Sequence, residues 1–176
     1  GKAAPKPKES VVNTTRGMLT IMSAPSPLCP HVEWALGGVV GAPISLDWRP
    51  QPAERGSYRS EFSWTGAPGV TATLVSALKR WPRLRFEASE SGSAVAEPER
   101  YSYTPTLGVF HAMTTLNGDV VVPEDRLRRA MLTAAGDAEA LQDELDALLG
   151  SAWDEELDVF RQAGEGESLR WLHEVG

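Results

Sequence analysis

The sequence predicts an α+β fold: a ferredoxin-like βαββαβ core with an added β-hairpin and a helical C-terminal extension. Three observations carry that expectation. Up to about residue 90, runs that alternate apolar and polar residues interleave with runs at helical spacing in the order of the split βαβ arrangement. Asn117-Gly118 then sits between two further apolar runs, the signal of a tight primed turn. Beyond residue 123 the apolar positions recur at helical spacing.

Taken in order, Met18 to Met22 is an apolar strand, stopped by Pro25, Pro27 and Pro30 because proline removes a donor and fixes φ. Val32, Ala35, Leu36 and Val39 form the buried stripe of a first helix that ends at Gly41 and Pro43. Ile44, Leu46 and Trp48 alternate with polar residues as a second strand. After the turn-rich PQPAERG, Tyr58, Ser60, Phe62 and Trp64 do the same as a third, so the two should pair. Val70, Leu74, Leu78 and Trp81 share one side of a second helix over 68–81, which ends before Pro82. Leu84, Phe86 and Ala88 mark a fourth strand, and the small, polar SESGSAVAEPE that follows reads as a loop.

Leu107 to Thr115 and Val120 to Val122 make the added hairpin. Pro123-Glu124-Asp125 opens a third helix, with proline and acids in a first turn, ending near Gly136. Leu141, Leu145, Leu148 and Leu149 mark a fourth, and Trp153, Leu157 and Phe160 a fifth that should stop before Gly164. The closing SLRWLHEV is read as a short segment, with Leu169, Trp171 and His173 on one side if extended.

Within 176 residues, 41% are hydrophobic and 23% charged, the composition of ordinary folded protein. Residues 1–13 read as a flexible tail and 14–176 as one α+β domain, with a core over about 17–90 and an extension over about 105–176. The single cysteine, Cys29, has no partner in the chain, which fits a reducing, cytoplasmic setting. The longest apolar run, Trp34 to Ala42, falls well short of the ~20 residues that cross a bilayer, so no membrane association is expected. With 17 basic against 24 acidic residues and a net charge of −7, the chain should repel nucleic acid and anionic lipid unless a basic patch is segregated locally.

Few residues carry recognisable chemistry. Cys29 and His31, with His111 and His173 elsewhere, supply a thiol and imidazoles for a nucleophilic site, and Cys29 stands at a helix start where the dipole would favour a thiolate. The plainer account is a buried thiol and a helix-start histidine. The same residues lack the paired spacing of a metal site, so no metal and no cofactor are expected. The glycines at 37–41 and 164–166 match neither phosphate-loop pattern.

The alternation itself makes a sharper point. If the apolar strand positions face the helices, then Asp47, Arg49, Arg59, Glu61, Arg83, Arg85 and Glu87 share the opposite face. Arg49, Arg59, Arg83 and Arg85 are therefore candidates for binding an anion, because a guanidinium fork matches carboxylate geometry. Cross-strand ion pairs are the competing account, and a pocket roofed by the C-terminal helices would favour the first. Among the six tryptophans, Trp81 and Trp171 are the candidates for a protein interface, each standing next to an arginine.

At SAPSPLCPHVEWAL, LDWRPQPA, the FSW of the third strand, LNGDVVVPEDRLR and GEGESLRWLHEV, the chain resembles an uncharacterised actinobacterial protein family, a domain of unknown function. The resemblance runs from about Thr14 to the end. It implies an actinobacterial cytoplasmic protein and brings no activity, cofactor or catalytic residue. The expected function is that of a non-catalytic interaction or regulatory protein with a protein partner. An anionic small-molecule binding domain and an enzyme with a Cys/His site are the alternatives.

Overall fold

In a computed structural model, residues 14–175 are described, with side chains described over 14–164. Seven strands form one antiparallel sheet: β1 (Thr15–Pro25), β2 (Arg49–Pro50), β3 (Ser57–Gly66), β4 (Arg85–Glu90), β5 (Glu99–Thr104), β6 (Gly108–Thr114) and β7 (Val120–Val121). Their spatial order is β2-β3-β1-β4-β5-β6-β7. Five α-helices accompany them: α1 (Cys29–Val40), α2 (Val70–Leu78), α3 (Glu124–Ala134), α4 (Ala138–Leu149) and α5 (Ser151–Val175). The fold is α+β.

The main core lies on one face of the sheet. Leu19 and Ile21 of β1 and Phe86 and Ala88 of β4 point there, and α1 and α2 bury Val32, Leu36, Leu74 and Leu78 against them. Phe86 stacks on Tyr103 of β5 with ring centroids 5.0 Å apart. The first turn of α2 has no capping side chain of its own; instead Glu90, buried at the end of β4, accepts from the backbone N–H groups of Gly69 and Thr71 and from the Thr71 hydroxyl. A sheet carboxylate thus satisfies donors that a helix start leaves open.

On the opposite face lies the predicted charged row, and α5 crosses part of it. Leu157 and Phe160 pack on Met22 of β1 as a second, small core. Around it, Arg85 donates to Glu54 at 2.8 Å and to Ser23 at 3.2 Å, lies 3.5 Å from Glu156, and sits over the Phe160 ring. Arg161 of α5 returns the arrangement, bonding Glu87 of β4 and, at 3.2 Å, its own helix's Asp154. The buried Gln51 amide donates to the carbonyls of Met22 and Phe160. At the start of the helix the Trp153 indole donates to the Gly108 carbonyl at 2.9 Å and packs beside Phe110.

Four expectations are corrected. The segment expected as a second strand keeps its alternation, with Ile44, Leu46 and Trp48 packed on the core, but only Arg49–Pro50 joins the ladder. Side chains take up its backbone instead: Glu33 accepts from Leu46 N–H at 2.7 Å, and Ser60 donates to the Asp47 carbonyl. A strand missing from the expectation, β5, occupies Glu99–Thr104. Arg83 lies in the exposed turn before β4 and not on the sheet face. Finally, α5 does not stop before Gly164 but continues to Val175; a Cβ at Gly164 would come within 3.2 Å of the Arg59 guanidinium, so glycine serves close packing there. Residues 1–13 lie outside the described residues.

Two substitutions test how α5 is seated. Leu157→Ala removes a fully buried side chain and should cost about 2–5 kcal/mol in urea unfolding. Gly150, which joins α4 to α5, has φ 71° and would place a Cβ 2.7 Å from the Phe110 ring. Gly150→Ala should therefore also destabilise, by about 1–3 kcal/mol through overpacking and backbone strain.

Candidate functional site

Among the described residues, Cys29 and His31 on α1 and His111 on β6 stand on separate elements. Cys29 is the first residue of α1, and its buried sulfur lies 3.8 Å from the Pro25 carbonyl and 4.0 Å from that of Ala24. Burial, and secondarily the charge of Glu33, raise the thiol pKa above its ordinary value. That is the reverse of what a nucleophile requires. His31 points to solvent two residues further on, beside Trp81.

His111 stands on β6, across the sheet ladder from Tyr101 and stacked on its ring. Its Nε2 lies 3.3 Å from Glu99, whose other oxygen accepts from the Tyr101 hydroxyl at 3.4 Å. Burial first, then Glu99, push the Tyr101 pKa up to about 12. This is a paired histidine on an exposed stretch of sheet, with no thiol in the arrangement. The His173 side chain lies outside the described residues, as does that of Trp171. Among the described residues no three His, Cys, Asp or Glu side chains gather as a metal site.

The four arginines part company. Arg85 is consumed in seating α5. Arg49 and Arg59 face each other across β2 and β3 and line a cleft of about 780 Å³ that Phe160, Arg161 and Gly164 of α5 partly roof. Asp47, 3.5 Å from Arg49, and Glu61 share that lining, so the cleft is mixed in charge. Arg83 belongs elsewhere, exposed in the turn between α2 and β4.

The outer surface of α1 and α2 gathers the interface candidates. Trp81, partly buried against the main core, lies 6.0 Å from the His31 ring, and the Arg80 guanidinium lies over its indole at 5.8 Å. One turn along α1 from His31, Trp34 is 71% exposed, and residues three apart share a helix face. Gly38, a further turn on, adds nothing beside it. Lys79, Arg80 and Arg83 are all exposed around the end of α2. In a chain of net charge −7, these exposed cations follow one another at the end of α2, where Arg80 meets Trp81, and Trp34 stands one turn along α1 from the His31 that packs on Trp81. Sequence reasoning missed Trp34, although its position two residues after Val32 sets it off the buried stripe of α1.

The chain belongs to the family described as protein of unknown function (DUF3145), whose model matches residues 18–174. No curated protein and no solved structure matches it.

The state of Cys29 is directly measurable. With its pKa raised, the thiol stays protonated to higher pH, so alkylation of the native protein at pH 8 should run more than about tenfold slower than that of an ordinary free thiol. Unfolding in urea should restore the ordinary rate.

Proposed function

We propose that this member of a family of unknown function is a non-catalytic interaction protein, and that the basic aromatic surface of α1 and α2 receives an acidic partner protein. Trp34 carries the proposal. An indole left 71% exposed on a helix gains little from water and a great deal from a socket, and tryptophan and arginine dominate the energetics of interfaces. Together with Trp81 and the exposed Lys79, Arg80 and Arg83 at the end of α2, Trp34 gives the chemistry of the partner: an apolar socket for indole and carboxylates for the cations. Such a surface would be steered toward this patch and away from the rest of an acidic chain.

Two finer assignments accompany this reading. The order β2-β3-β1-β4, with α1 and α2 packed together over it, supports describing the first half of the chain as a ferredoxin-like core. An actinobacterial cytoplasmic protein is supported by the resemblance of its sequence blocks and by its lone, buried thiol.

The test is carbodiimide cross-linking during tagged purification at low salt, with Trp34→Ala and Arg80→Glu run beside the wild type. The expected result is a stoichiometric protein cross-linked from Lys79 to an Asp or Glu of its own, and lost by at least about tenfold in each variant, as for a central hot spot. A partner that both variants retain, nucleic acid in its place, or no stoichiometric partner at all overturns the proposal.

A further inference from the structure

The half of the charged sheet face that α5 leaves open differs in composition from the half it covers. Register places Ser63, Met18, Ser89 and Arg100 in one row across β3, β1, β4 and β5. In the next row Thr65 stands opposite Arg16, which is bonded twice to Ser91: Ser91 N–H donates to the Arg16 carbonyl at 2.8 Å, and Arg16 N–H donates to the Ser91 hydroxyl at 3.1 Å. These rows floor a concavity of about 750 Å³, walled at one end by the turn between β6 and β7, a size in the range that holds small molecules.

The donors there are hydroxyls and guanidinium groups; Glu90 and Glu99 border the hollow but turn their carboxylates away from it, while Asp154 of α5 stands beside Arg100. Strand alternation sends Glu90 and Glu99 to the opposite face, where Glu90 holds the first turn of α2 and Glu99 holds Tyr101 and His111. Arg100 keeps unused capacity. Its guanidinium lies 5.9 Å from the Phe110 ring and its Nη2 3.8 Å from Asp154 of α5, an ion pair too long to be a hydrogen bond. Arg16 is exposed on the same floor. Met18, also exposed, gives the floor an apolar spot, and the exposed Leu116 another at the wall.

We infer that this concavity is a binding site for a small molecule with an oxyanion head, phosphate or carboxylate, and a small apolar body. Arg16 and Arg100 take the head together with the serine hydroxyls, since charge-assisted bonds to guanidinium are the strong ones. Met18 and Leu116 take the body. The site lies on the face of the sheet opposite to α1 and α2, and it stands independently of the protein partner.

The probes are phenyl phosphate and benzoate, which share an apolar ring and differ in the head, titrated into the full chain and followed by amide chemical shifts. At least one should give saturable shifts centred on Arg16, Ser89 and Ser91, and the tighter of the two identifies the head. Arg16→Gln, at an exposed position, should weaken that binding by about tenfold. Arg49→Gln, on the same face but in the α5 cleft, should leave it unchanged. Absence of saturable shifts with both probes, shifts centred elsewhere, or equal loss in both variants overturns the site.

Discussion

The seating of α5 on the sheet is the contact on which the rest of the structure depends. One apolar pair, Leu157 and Phe160, reaches Met22, and a belt of half-buried ion pairs closes around it. Arg85 reaches from the sheet to Glu156, and Arg161 reaches from the helix to Glu87. The two arginines point in opposite directions across the same interface, so translation of the helix along the sheet would strand a charge at one end or the other. Stranding a desolvated charge is far costlier than a well-made pair is stabilising. The belt therefore fixes position more than it adds stability.

That placement decides which surfaces remain for function. By occupying the middle of one face, α5 divides it into an arginine-bearing cleft of mixed charge toward β2 and a hydroxyl-rich hollow toward the β6–β7 turn. The other face is given to α1 and α2, whose outer side holds the indoles. Among the described residues, the buried thiol of Cys29 stands apart from His111 on β6, so neither hollow brings a thiol and an imidazole together.

Much of the architecture could be read from residue spacing, because spacing reports burial. The stripe Val32, Ala35, Leu36, the run Val70, Leu74, Leu78 and the alternation through Phe62 and Phe86 all mark positions facing one apolar core. The alternation at Ile44, Leu46 and Trp48 reports burial correctly too, yet not strand pairing, since side chains of Glu33 and Ser60 meet the Leu46 N–H and the Asp47 carbonyl. Glu99 to Thr104 hid its strand for the opposite reason. Tyr101 and Tyr103 alternate with Arg100 and Ser102, but both faces of that strand carry polar atoms. The end of α5 escaped because a glycine in a helix reads as a stop, whereas Gly164 answers the proximity of Arg59, a tertiary fact. The charged face was legible as a face; what covers it was not, because the ion pairs join residues as far apart as Glu87 and Arg161.

The placement of Glu90 joins the two faces of the sheet. Its carboxylate is the anchor for the start of α2, whose far end delivers Trp81 and Arg80 to the outer patch. Its immediate neighbours, Ser89 and Ser91, lie on the floor of the hydroxyl-rich hollow. Three consecutive residues at the end of one strand thus form a rocker, with a helix hung from the middle and a hollow resting on the two outer arms. Any displacement of that strand end is felt above and below the sheet at once.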